Sequence, residues 1–158
     1  MLLLLPLGLI AQEMKIAIVN TTEIFSLLPE TDAVENELAK LGQQYQREAQ
    51  LMDDEYARKV SDLTAQNDSL TDNIRKLRVQ EIDDLRGRLE NFIASAQENI
   101  NKKQEELFAP LRDKVQKAID SVGEENGYAY ILNPQVLLYR GNSAIDATDK
   151  VKAKLGIK

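Results

Sequence analysis

Apolar residues recur through the centre of the chain with steps of three, four and four residues, which is an eleven-residue period. One series covers residues 38–63 and a second covers residues 74–122, where only Arg78 and Gln104 are polar. Eleven residues in three turns give about 3.67 residues per turn, slightly above the relaxed helix value. The pattern therefore predicts two long, nearly straight helices, each with one apolar stripe.

The segment between the two series, residues 67–73, is rich in Asn, Asp, Ser and Thr, which favour turns and helix caps. It predicts a tip that joins the helices into an antiparallel hairpin, with a first helix of about 36 residues, or about 50 Å. Gly87 and Pro110 interrupt the second helix. They are either tolerated irregularities or points where the arm flexes.

The flanks of the hairpin contain short strand and helix signals. Residues 15–20 predict a strand. Thr21 or Thr22 is expected to cap a brief helix that ends at Pro29. Thr31 or Asp32 is expected to cap the first long helix.

After the second long helix, Gly127 is a natural C-terminal cap. Residues 128–132 then predict a strand, 133–135 a turn and 136–139 a return strand. Asp146 is expected to cap a last helix over residues 147–155, which ends at Gly156.

These elements predict an α+β protein that is mostly α, with a coiled-coil arm over residues 34–110 and a small strand-containing body from residues 13–33 and 111–158. Three short strands make a small body with unpaired edges, and such edges pair readily with another copy. The sequence therefore predicts self-association. Residues 1–11 are an apolar run followed by the polar Gln12-Glu13, so residues 1–12 resemble a secretory signal peptide; a packed N-terminal segment is the alternative, and the segment is excluded from the fold in either case.

Composition narrows the function. The chain has no His and no Cys, so imidazole or thiolate catalysis and the usual zinc or iron–sulfur ligand sets are absent. We expect no enzyme activity, no cofactor and no metal. The net charge of −6 argues against nucleic acid as a partner, because binding to phosphates depends on Lys and Arg.

Two stretches, KIAIVNTTEIFSLLPET and PLRDKVQKAIDSVGEENGYAYILNPQVLLY, followed by DATDKVKAKL, resemble the Skp/OmpH family of periplasmic chaperones. The resemblance implies a homotrimer whose strands form a central trimerisation body and whose helical arms enclose unfolded outer-membrane proteins in the periplasm, without ATP. Well-known members of this family are strongly basic, whereas this chain is acidic. A lipopolysaccharide site is therefore not carried over.

A holding chaperone needs many weak contacts. The client-contact candidates are four apolar residues outside the main stripe: Leu51, Val79, Phe92 and Phe108. The alternative is that they only broaden the stripe or pack against a neighbouring copy. Basic residues near the tip are candidates for weak contact with an anionic membrane surface or acidic clients, although acidic residues among them favour a solvated mixed-charge face: Arg75, Lys76, Arg78, Arg86 and Arg88.

A structural coiled-coil spacer or tether of the cell envelope is the alternative function. Helical periodicity fits either class, but a plain spacer has no need of the flanking strands. Those strands favour the chaperone.

Overall fold

The computed structural model describes residues 14–157, so the leader expected at residues 1–12 lies outside the described residues. The chain divides into two compact units. We call residues 14–28 and 111–157 the body, and residues 29–110 the arm.

The body contains three short strands, two short helices and the last part of a third helix. In chain order its elements are β1 (Ile16–Ile18), α1 (Thr21–Leu27), the last part of α3 (Asp72–Asn126), β2 (Tyr130–Leu132), β3 (Ile145–Asp146) and α4 (Thr148–Leu155). A short 3-10 turn, Pro134–Val136, follows β2.

The sheet is entirely parallel, with β1 in the centre and the strand order β2-β1-β3. Ala17 lies opposite Ile131 on one side and Ile145 on the other. Parallel neighbours need long crossover connections. Here the connection from β1 to β2 contains the whole arm, and the connection from β2 to β3 contains the 3-10 turn.

The core of the body lies between one face of this sheet and its helices. Ala17, Ile131 and Ile145 point toward it, and its fully buried members include Ile24 and Val151. Burying an aliphatic side chain of this size contributes about 1.5–3 kcal/mol. The remaining buried members follow β1 and α1, lie in α3 or precede α4: Val19, Leu28, Val115, Ala118, Val122 and Ala147.

Polar contacts fix the helix ends of the body. The side chain of Asn20 accepts a hydrogen bond from the Glu23 backbone N–H at 3.2 Å, so Asn20 caps α1 in place of the predicted Thr21 or Thr22. Both predicted glycine ends are confirmed: Gly127 and Gly156 have φ values of 64° and 75°, in the left-handed region that glycine adopts at little cost.

The return strand predicted at residues 136–139 is wrong. Asn133 accepts a hydrogen bond from the Gln135 N–H at 3.0 Å, and Pro134 begins a 3-10 turn, so the chain leaves the sheet after β2. The second edge of β1 is taken by β3 instead. The predicted cap at Asp146 is formed in part, since its side chain accepts the Thr148 N–H at 3.0 Å while Asp146 itself lies in β3.

The arm consists of α2 (Pro29–Gln66), a 3-10 turn (Asn67–Ser69) and the first part of α3. Helix α2 has 38 residues and is about 57 Å long. It begins at Pro29, earlier than the predicted caps at Thr31 or Asp32, because proline is well suited to the first turn of a helix. The tip falls within the predicted residues 67–73.

Three contacts show that the two helices of the arm run antiparallel, because residue numbers rise along one helix as they fall along the other. Glu37 pairs with Lys103 at 3.1 Å, and Lys59 pairs with Glu81 at 3.4 Å. Between them the rings of Tyr45 and Phe92 meet edge to face, with centroids 5.9 Å apart.

The eleven-residue pattern describes most of the arm's seam. In α3, Ile82, Leu85 and Ala96 are buried, and the two polar exceptions are exposed. The pattern fails at Ile93, which is 54% exposed, because the adjacent Phe92 takes the inward position against Tyr45. It also fails near the tip, where Val60 and Ile74 are 36% and 42% exposed. The seam is otherwise only half-buried along α2, as expected for two helices without a third layer.

We predict that the body loses a stabilising contribution in acid through Asp146. Hydrogen bonds from Thr148, together with Arg140 at 2.9 Å, hold the pKa of Asp146 below its ordinary value of 3.8. A carboxyl group whose pKa is lowered by folding stabilises the folded state at pH values above its ordinary pKa. This contribution is lost as the pH falls through the lowered pKa.

Urea unfolding of Asp146→Asn and of the unchanged chain at pH 6 and at pH 2 measures this effect. The stability difference between them should be largest at pH 6 and shrink at pH 2. An equal difference at both pH values would contradict the assignment.

Candidate functional site

The structure offers extended surfaces as candidate binding sites. Within residues 14–157, no group of three or more carboxylates is placed to hold a metal ion. The candidate surfaces are the exposed apolar side chains of the body, the apolar side chains along the arm and the charged residues near the tip.

One face of the body sheet is left partly uncovered. Ile16 and Tyr130 are neighbours in register on the face opposite the core, and they are 44% and 58% exposed. Beyond β2, Val136, Leu138 and Tyr139 are still more exposed. We call these five residues the body patch. Exposed apolar side chains that adjoin one another, as Ile16 and Tyr130 do, are candidates for contact with another protein.

The four predicted client-contact residues fall into two groups. Leu51 and Val79 are exposed, at 69% and 44%. Phe92 and Phe108 are half-buried, and Phe92 packs against Tyr45. The structure does not gather them into one site, since Val79 and Phe108 are about 44 Å apart along α3.

Three of the five predicted basic tip residues are paired with carboxylates. Arg75 lies 3.4 Å from Asp72 and also donates to the Leu70 carbonyl, which holds the turn at the tip. The other two pairs also span one helical turn at 3.4 Å: Arg78 with Glu81 and Arg86 with Asp83.

Lys76 and Arg88 are the two basic tip residues that make no ion pair with any residue in the described range. Much of the positive charge expected at the tip is thus balanced locally. The sequence already indicated this pairing, because each acidic partner lies three residues from its arginine.

A groove between the two helices near the tip was not predicted. It has a volume of about 250 Å³, with Leu63, Leu70 and Ile82 among its apolar lining residues and the Lys59–Glu81 pair among its charged ones. Six charged residues line it, three of each sign, so the groove has no net preference for an anion or a cation: Glu55, Arg58, Lys59, Asp62, Arg78 and Glu81.

No helix in the described part of the chain has both the length and the apolar character needed to cross a bilayer. The long helices are exposed and highly charged along most of their length.

The described chain is thus a mostly helical α+β protein with a small parallel sheet and a long two-helix arm. The sequence model of the family described as Outer membrane protein (OmpH-like) matches residues 15–155. The chain therefore belongs to the OmpH-like family, and the resemblance found in the sequence is confirmed.

The fold is also that of a solved structure. The crystal structure of a candidate outer membrane chaperone (OmpH-like) from Caulobacter crescentus CB15 superposes with a TM-score of 0.75. The match covers 90% of this chain and 83% of that chain at 13% identity, so the likeness concerns the fold. No curated protein matches this sequence significantly.

We predict that Phe92 stabilises the arm whereas Leu51 does not. Phe92→Ala removes a half-buried ring and its edge-to-face contact with Tyr45, which should cost about 1–3 kcal/mol of unfolding free energy. Leu51→Ala should change that free energy by less than about 0.5 kcal/mol, because the side chain is exposed.

Urea unfolding followed by circular dichroism measures both variants. An equal loss of unfolding free energy in the two variants would contradict the assignment of Phe92 to the seam and Leu51 to the exposed surface.

Proposed function

We propose that this protein is a holding chaperone of the periplasm that binds unfolded outer-membrane and other envelope proteins, without ATP, and prevents their aggregation. Membership of the OmpH-like family supports this role, as does the fold shared with a candidate outer membrane chaperone. The proposal includes export through the leader and involves neither an enzyme reaction nor a cofactor.

The observation that carries the proposal is the distribution of exposed apolar residues along the arm. Leu51, Leu77, Val79 and Ile93 are between 44% and 69% exposed, and they occupy both helices. Each offers a weak contact to an unfolded chain. Several weak contacts on one molecule add up to useful avidity, because every contact after the first is intramolecular.

The proposal also includes assembly of the protein through its bodies, most simply as the trimer that the family resemblance implies. Within residues 14–157 the body sheet has three strands of two or three residues, and its outer strands, β2 and β3, each have one edge without a strand partner. Free edges and the adjacent body patch favour association with further copies. Arms held close together would present their apolar residues to one client.

A refolding assay tests the holding function. An unfolded outer-membrane barrel protein is diluted from urea with and without the chaperone, and light scattering is followed. We expect near-complete suppression of aggregation at a small molar excess. If scattering is unchanged, the chain is not a holding chaperone, and the spacer or tether function becomes the better account.

Matched variants connect the assay to the arm. Leu51→Asp with Val79→Asp should weaken suppression several-fold, because a charge replaces each apolar contact. Gln46→Asp with Gln80→Asp adds the same charges at nearby exposed polar positions and should suppress aggregation like the unchanged chain. Equal weakening by both pairs would contradict the role of the apolar residues.

We predict that the body patch holds the oligomer together. Leu138→Asp with Tyr139→Asp places charges on two side chains that are almost fully exposed, so the folded body should be unaffected while association is lost. Sedimentation velocity at micromolar concentration measures this directly.

Asn142→Asp with Ser143→Asp, on the same exposed segment, is the control and should leave the size unchanged. A Leu138→Asp, Tyr139→Asp variant of unchanged size would refute this interface.

A further inference from the structure

The net negative charge of the described residues belongs to one of the two units. The arm, residues 29–110, contains 18 Asp and Glu against 11 Lys and Arg, a net charge of −7. The body, residues 14–28 and 111–157, contains 7 acidic and 8 basic residues, a net charge of +1. A charge that served solubility alone would have no reason to be confined to the arm.

Several of the arm's cations are also engaged by its own carboxylates. Five of the 11 form ion pairs within the arm: Lys59, Arg75, Arg78, Arg86 and Lys103. The arm also contains stretches of acidic residues without an intervening base, such as residues 48–55, where Leu51 lies between Glu48 and the Asp53-Asp54-Glu55 run. The most exposed large apolar side chain of the arm thus has carboxylates on both sides in the sequence.

This distribution has a direct physical consequence for binding. A surface of one net sign attracts partners of the opposite sign and raises their association rate by about tenfold or more at low salt. The effect extends over a Debye length, which is about 10 Å at 0.1 M salt and is longer in more dilute salt. A surface of net charge −7 repels anionic lipid and acidic segments in the same way.

We propose that the arm selects cationic segments of unfolded chains, in which apolar residues are flanked by Lys or Arg, and that it avoids anionic membrane surfaces. The inference rests on the proposed function and specifies its client class. Apolar contacts at residues such as Leu51 and Ile93 hold the client, and the surrounding carboxylates raise the association rate of cationic segments.

Two versions of one unfolded barrel protein provide the test, with identical strands but with loops made net positive in one and net negative in the other. Stopped-flow fluorescence gives the association rate constants between 20 and 300 mM salt. We expect the cationic client to associate at least about tenfold faster at 20 mM salt, with the ratio approaching one at 300 mM.

A pair of variants separates the arm's charge from the charge of the whole chain. Asp53→Lys, Glu90→Lys and Glu98→Lys reverse exposed carboxylates of the arm, and Asp113→Lys, Asp120→Lys and Glu124→Lys reverse exposed carboxylates of the body. Either set brings the chain from −6 to zero. Only the arm set should abolish the preference for the cationic client, while circular dichroism confirms that both variants are folded.

Each outcome is decisive. Equal association rates for the two clients, equal loss of preference in the two variants, or binding of the unchanged protein to phosphatidylglycerol vesicles at 20 mM salt would overturn the charge selection. If both clients nevertheless stay soluble, the holding function stands without it. If neither client is held, the proposed function fails, and this inference fails with it.

Discussion

The body depends on β1, a strand of three residues that is hydrogen-bonded on both sides. Its partners come from distant parts of the chain, since Ile16 is paired with Tyr130 and Ala17 with Ile145. Closing the first of these pairs fixes a loop of more than 100 residues that contains the entire arm. Because the entropy of closing a loop grows only slowly with its length, a long insertion at this point is tolerated.

The arm, in contrast to the sheet, does not depend on strand pairing between distant parts of the chain. Its contacts join residues brought together by one turn at the tip, and its seam is a single stripe with no third layer. Side chains just outside that stripe therefore stay in solvent, as Leu51 and Ile93 do. The geometry that limits the arm's own stability also leaves these apolar residues exposed, and the proposed holding function depends on them.

Much of the fold was predictable because it depends on local patterns. The eleven-residue period predicted both long helices, and the polar cluster predicted the tip. Gly127 and Gly156 marked helix ends because only glycine adopts their backbone conformation cheaply. The sheet was less predictable. Its third strand, Ile145–Asp146, has only two residues and no alternating pattern, whereas the exposed residues 136–139 have the composition of a strand.

The binding surfaces were predictable only in part. Among the client-contact candidates, Leu51 and Val79 are exposed, whereas Phe92 packs against Tyr45. The sequence did not reveal this difference, because a helical pattern does not determine which of two adjacent apolar residues, such as Phe92 and Ile93, faces the other helix. At the tip, the acidic residues among the basic ones already favoured a mixed-charge face, and the structure pairs three of the arginines with carboxylates three residues away. The long-range pairs Lys59–Glu81 and Glu37–Lys103 depend on the register of the hairpin, which no local pattern fixes.

The central claim is that unfolded clients contact the arm at many separate points. The chain has no cysteine, so single cysteines carrying a photoreactive label can be placed at residues 51, 79 and 113 without background. With an unfolded outer-membrane barrel bound, labels at 51 and 79 on the arm should each crosslink to several client segments, and the label at 113 on the body should not. Crosslinking from the body position alone, or from none of the three, would contradict the account.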